Sequence, residues 1–168
     1  MSVILAIDPS GNFEEGKGKT GIAISYNSWE CVKTYTVDAA KYSNRISYWD
    51  AVIEYVYKLL KIREEGHDIH VVIEKYVMRN NGFTIGKMPE TVMLIGLLIY
   101  FCEKNGIKYT LQTPSQVKKR YSNEHLTKLF SQITYKNNRY QLEKSKILND
   151  HERDALKHLA FYKNYMED

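Results

Sequence analysis

Twice in this chain a short run of core-type residues ends in a carboxylate: Val3-Ile-Leu-Ala-Ile7 runs into Asp8, and Ile69-His-Val-Val-Ile73 runs into Glu74. Runs of this length and β-branched character suit strands buried on both faces, which occur in sheets covered by helices. An acid directly after such a strand does little for solubility, because its neighbours are core. It is well placed at the carboxyl edge of a sheet, where ligands gather. If the two strands are neighbours, Asp8 and Glu74 lie side by side. Two like charges at that distance call for something positive between them, such as a divalent cation. Each acid also has a plainer reading, Asp8 as the start of a turn with Pro9 and Glu74 as a partner for Lys75.

The rest of the chain supplies what a helix-covered sheet needs. Thr20 to Tyr26 and Cys31 to Val37 alternate as strands around the turn Asn27-Ser28-Trp29, so three sequential strands form an antiparallel meander. Ile46, Trp49, Val52, Ile53, Val56, Leu59 and Leu60 recur at helical spacing up to Gly66. After the strand ending at Glu74, a loop over Arg79 to Gly86 leads to Pro89, which suits the first turn of a helix reaching Asn105. That helix is apolar almost all round, so it is either deeply buried or shared with a second subunit. Lys108 to Gln112 is the last strand. Helical turns are expected to Arg120 and over Glu124 to Ile133, then a loop of weak periodicity over Thr134 to Lys146. Asn149 caps a final helix reaching Tyr165, with Glu152 completing a capping box. The order β-β-β-α-β-α-β-α predicts one α/β domain spanning 1–168, with a five-stranded mixed sheet (three antiparallel strands, then β-α-β units) flanked by helices.

Composition narrows the setting. At 168 residues the chain suits one domain, and 43% hydrophobic with 26% charged residues is the profile of a globular protein. The longest apolar run, Val92 to Phe101, is half of the roughly 20 residues a membrane-spanning helix needs. No signal peptide is visible, and Cys31 and Cys102 are isolated, so a reducing, cytoplasmic setting is expected. The net charge is only +4, yet Pro114 to Lys146 holds eight basic residues against two acidic ones, interleaved with Tyr121, Phe130, Tyr135 and Tyr140. Such a mixture suits a polyanion with stackable bases, and equally suits the solvated face of a lysine-rich protein.

The loop after Asp8, Gly11-Asn-Phe-Glu-Glu-Gly16-Lys17-Gly18-Lys19, resembles a phosphate-binding loop. A P-loop needs Ser or Thr after its lysine and a helix beyond, whereas here Gly18 follows Lys17 and a strand follows Thr20. A small nucleotide-binding ATPase is therefore the weaker alternative. On the final helix His151 and Asp154 share a face, and Ala155, Leu156, Leu159 and Ala160 turn that edge toward Asp8 and Glu74. Three carboxylates and one imidazole suit Mg²⁺ or Mn²⁺, the histidine tilting the set toward Mn²⁺, and two such ions can drive phosphodiester hydrolysis. Asp150 lies on the same face but is explained by the helix N-terminus, so it ranks second as a ligand.

With those residues in hand, the chain resembles the RuvC-type Holliday junction resolvases of the RNase H-like nuclease superfamily. The resemblance lies in Ile4-Leu-Ala-Ile-Asp8-Pro-Ser with Thr20-Gly-Ile-Ala, in Val72-Ile-Glu74 followed by Met78 and Asn81, in Ser115-Gln-Val-Lys118, and in His151-Glu-Arg-Asp154-Ala-Leu. It implies an RNase H-like fold and a homodimer, joined through the 89–105 helix, that nicks four-way DNA junctions. It implies Asp8, Glu74, His151 and Asp154 as catalytic metal ligands, with two Mg²⁺ or Mn²⁺ ions per site. DNA contacts would come from Lys118, Lys119 and Arg120, from Tyr76, Arg79 and Asn81 after the fourth strand, and from Lys17 and Lys19 in the first loop. Bacterial members tend to carry an aromatic three residues after the strand-four acid. Here that place is Val77, with Tyr76 beside it. That departure, the long first loop, the expanded 121–148 segment and a ratio of 18 Lys to 6 Arg fit phage-borne relatives better. RNA–DNA hybrid, flap or fork cutting remain alternatives within the superfamily.

Overall fold

The computed structural model describes residues 2–26, 28–77, 90–143 and 146–166, with side chains of 28–30 outside the description. β1 (Ser2–Asp8), β2 (Lys19–Tyr26) and β3 (Ser28–Asp38) run antiparallel in chain order. β4 (Asp68–Glu74) lies parallel to β1 on its other side, and β5 (Lys108–Gln112) lies parallel to β4. The five strands are thus ordered β3-β2-β1-β4-β5, the mixed sheet that the sequence predicts. Parallel neighbours need crossovers, and α1 (Arg45–Glu64) and α2 (Glu90–Lys104) supply them.

Both faces of the sheet are covered, which is why the strands read as uninterrupted apolar runs. Val3, Leu5, Ile7, Ile22, Val71 and Ile73 pack with Val52, Val56 and Leu59 of α1 and Leu94 and Leu98 of α2. The alternate residues Ile4, Ala6, Ala23 and Val72 join Ala155, Leu156, Leu159 and Ala160 of α5 (Asp150–Tyr165) on the opposite face. The start of α5 is set by its capping box. Glu152 N donates to Asn149 Oδ1 at 2.9 Å, and Asn149 N donates to Glu152 Oε2 at 3.1 Å. Its first turn lies close on the sheet because β2 offers a glycine there: a Cβ on Gly21 would stand 2.1 Å from the His151 carbonyl oxygen.

Three expectations change. The helix predicted over Glu124 to Ile133 is only a 3-10 turn at Asn123–His125 and a single turn, α4 (Leu126–Leu129); Phe130 is already extended at φ −126°, ψ 107°. Leu126, Phe130 and Ile133 are all buried at helix-like spacing, but they anchor a turn and the start of a strand. The loop predicted over Thr134 to Lys146 contains a second antiparallel sheet of β6 (Ile133–Lys136), β7 (Arg139–Leu142) and β8 (Lys146–Ile147). Strands of four and two residues are too short for alternation to show. The available signal was Asn137-Asn138, whose positive φ of 51° and 61° makes a hairpin turn of the kind Asn favours. Finally, β3 begins at Ser28, ahead of the predicted Cys31.

The small sheet is tied to the large one beside the start of α5. Val32 N donates to Gln132 Oε1 at 3.1 Å, and Lys146 Nζ donates to Thr34 Oγ1 at 2.8 Å while pairing with the buried Glu152 at 2.6 Å. Helix α2 buries Leu94, Ile95, Leu98 and Cys102 but turns Met93, Leu97 and Tyr100 to solvent, so part of its apolar surface faces outward. Pro89 and the 79–86 loop lie outside the described residues. Among the described residues no helix is long and apolar enough to cross a membrane.

Candidate active site

The loop between β1 and β2 is closed on the protein rather than open to a phosphate. Gly11 N donates to Thr91 Oγ1 at 3.0 Å, and a Cβ on Gly11 would stand 2.2 Å from the Glu90 carbonyl oxygen at the start of α2. Ser10 N donates to Thr20 Oγ1 at 3.1 Å, and the Ser10 carbonyl accepts from Tyr48 Oη at 2.5 Å. Burial pushes the Tyr48 hydroxyl up to about 12, so it stays a donor. The chain then enters β2 and not a helix, which removes the nucleotide-loop alternative. Lys17 is exposed, and Lys19 pairs with Asp38 at 3.6 Å.

Asp8 and Glu74 end neighbouring parallel strands one step beyond the registered pair Ile7 and Ile73. Both continue the alternation of Ala6 and Val72, so both face α5. Helix α5 answers with His151, Asp154 and His158, spaced three and four residues apart on one stripe. His151 Nδ1 is 2.9 Å from Asp8 Oδ2, and His158 Nε2 is 2.6 Å from Glu74 Oε2. The other His158 nitrogen, Nδ1, is 2.9 Å from the Oε1 atom of Gln112, a residue with no exposed surface. Asp154 accepts from Lys157 Nζ at 2.6 Å and lies 3.7 Å from Lys118 on α3 (Pro114–Arg120).

The electrostatics follow. Burial raises the proton affinity of Asp8, and the charges of Glu74 and Asp154 raise it further against the opposing His151 hydrogen bond. The Asp8 hydrogen bond in turn holds His151 above the ordinary histidine range, against desolvation. At Asp154 burial pushes upward, but the Lys157 hydrogen bond and the charges of Lys157, Lys118 and His158 win and hold the carboxyl below its usual value. Three carboxylates with an imidazole, one of them buried among like charges, are a donor set that fits a hard divalent ion. As the side chains stand, no three His, Cys, Asp or Glu groups among the described residues close on one point. Each acid faces a nitrogen of α3 or α5 instead.

Other sequence-predicted residues spread out from this edge. Asp150 leaves its side chain 83% exposed and pairs with Arg153, away from the acids. Tyr76 and Lys118 line an open cleft of about 290 Å³ that also takes in Glu74 and Ser115. Lys119 and Arg120 are exposed on α3, with Arg120 over the Tyr165 ring at 5.2 Å. Arg79 and Asn81 lie outside the described residues. Sequence reading missed His158, Gln112 and Lys157. The helical stripe through His151 and Asp154, continued one turn, reaches His158, but its apolar neighbours make it read as core.

The order β3-β2-β1-β4-β5, with α5 laid across β2, β1 and β4, is that of an RNase H-like fold. Two solved structures of similar fold bear this out. "T. thermophilus RuvC in complex with Holliday junction substrate" superposes with a TM-score of 0.65 at 14% identity, covering 98% of this chain and 94% of that one. "Thermus thermophilus RuvC structure" gives 0.57 at 16% identity, with 96% and 95% covered. No family model and no curated protein matches the sequence, so the likeness lies in the fold.

Proposed function

We propose that the chain is a divalent-metal-dependent endonuclease that nicks branched DNA, with four-way Holliday junctions as its main substrate. The observation that carries this is the placing of Asp8 and Glu74 side by side at one sheet edge, beneath His151 and Asp154 of a single helix. The fold shared with RuvC, one structure of which is a complex with a Holliday junction substrate, supports branched DNA over other phosphodiesters.

Asp8, Glu74, His151 and Asp154 would hold Mg²⁺ or Mn²⁺, two ions in all. When bound, these supply an activated water and a counter-charge for the leaving oxygen. The chain's own groups do the positioning. His158, fixed by Gln112, holds Glu74, and Lys157 holds Asp154 in its ionised form. Tyr76 and Lys118 flank the cleft at Glu74, where a strand would pass, and Lys119 and Arg120 extend that path along α3. Lys17 and Lys19 offer further phosphate contacts beyond β1. The outward stripe Met93, Leu97 and Tyr100 of α2 would join two copies, placing two sites on one four-way junction.

A cleavage panel of junction, fork, flap, duplex and RNA–DNA hybrid with each metal tests this. Metal-dependent nicking of the junction is expected, with losses of roughly 10³-fold in Asp8→Asn and Glu74→Gln, the scale of several kcal/mol of charge stabilisation. Junction binding should persist in both variants. Wild-type rates in either variant overturn the site, and a strong preference for the hybrid moves the protein to ribonuclease chemistry.

A further inference from the structure

The β6–β7 hairpin leaves the body of the molecule beside the first turns of α5. At its base Ile133 and Leu142 are a registered pair, both buried among Leu126, Phe130 and the apolar face of α5. From Thr134 to Arg139 every residue is exposed. The projecting part is nevertheless braced by its own turn and by α5. Asn137 and Asn138 adopt the left-handed backbone of a two-residue turn. Behind the turn Tyr135 and Tyr140 pair across the strands, ring centroids 4.8 Å apart. Arg153 of α5 sits over the Tyr140 ring at 5.5 Å and donates to the Leu148 carbonyl at 2.9 Å, which fixes the hairpin against the helix that carries His151 and Asp154.

At the tip Lys136 and Arg139 stand directly opposite each other. Like charges at a cross-strand pair destabilise it, and neither cation makes an ion pair with a described residue. Two cations without an ion-pair partner among the described residues, held together on a hairpin braced against the helix that carries His151 and Asp154, match the spaced negative charges of a nucleic-acid backbone. We propose that this tip is a second DNA-backbone grip, in which Lys136 and Arg139 take phosphates of a duplex arm beside the catalytic edge. The proposal rests on the branched-DNA reading and adds to it a contact element separate from α3.

The test is equilibrium binding of a labelled four-way junction and a linear duplex, in chelator without added metal, over a range of salt. Lys136→Ala/Arg139→Ala should weaken junction binding by roughly tenfold and flatten the slope of log K against log salt by about 2, each phosphate contact contributing about 0.9. The charge-keeping pair Lys136→Arg/Arg139→Lys should retain the wild-type slope. Both variants should melt with the wild type, since the altered side chains are exposed. If the wild type binds and the alanine pair keeps its affinity and slope, the grip is wrong while the branched-DNA reading stands. If the wild type binds neither DNA, that reading fails and the grip falls with it.

Discussion

Helices α5 and α2 cover opposite faces of one sheet, and each carries a stripe on the side opposite to its expected place. α5 turns His151, Asp154, Lys157 and His158 inward, where Lys157 is 6% and His158 1% exposed. α2 turns Met93, Leu97 and Tyr100 outward, with Tyr100 61% exposed. Burying imidazole and ammonium groups is costly unless they are paired, and α5 solves this by pairing each with an acid, two of them at the strand ends. An outward apolar stripe is likewise unfavourable unless something covers it. A stripe that the rest of the chain satisfies points to a site. One that the described residues leave uncovered is open to the second copy proposed above.

The largest expected effect falls on the inward stripe. His158→Ala strands the Gln112 amide oxygen in a fully buried position and takes a charge-assisted partner from the partly exposed Glu74, and should lower unfolding stability by about 3 kcal/mol in denaturant titration. Wild-type stability would mean that α5 does not depend on its polar face, and the contrast with α2 would fail.

A smaller effect belongs to the other end of the same packing. His70 of β4 stacks on Tyr162 of α5 with centroids 4.3 Å apart and is hydrogen-bonded to Thr110 at 2.8 Å. Desolvation, helped by the Lys108 charge, lowers its pKa to about 4. Between that value and 6.5 the unfolded chain takes a proton that the folded chain refuses. The His70 contribution is therefore complete above pH 6.5 and is lost as pH falls toward 4. Allowing for solvent screening over its exposed edge, the loss should be about 1 kcal/mol. His70→Gln should flatten the melting temperature against pH across that window, and an unchanged profile would assign the slope to other groups.

The smallest effect on stability should come from the outward stripe. Leu97→Glu is expected to stay within about 0.5 kcal/mol of wild type yet shift sedimentation from dimer to monomer. A wild type that sediments as a monomer at every concentration would leave the α2 stripe without its proposed partner. A Leu97→Glu variant that unfolds would show the stripe to be core.

The legibility of the molecule divides along similar lines. Asp8 and Glu74 could be found because each interrupts an apolar run at a point where core should continue or a turn should begin. Asn149, Glu152, His151 and Asp154 could be found because capping and helical spacing are local. His158 was hidden, since a histidine among Leu156, Leu159 and Ala160 has the same local pattern whether it fills core or holds an acid 84 positions earlier in the chain. The β6–β8 sheet was hidden because its strands hold together by pairing across the chain and by burial of Ile133 and Leu142, neither of which leaves a period in four residues.

The sequence by itself determined the five strands of the main sheet, the helices α1, α2 and α5 that cover it, and the acids at its edge. These depend on periodicity, capping and strand ends, all properties of a few neighbouring residues. Only the tertiary structure decided which nitrogen faces which carboxylate, that the opening loop closes on α2, and that a basic hairpin stands beside α5. Those depend on side chains meeting across distant segments, where distance and burial, not spacing along the chain, set the energy.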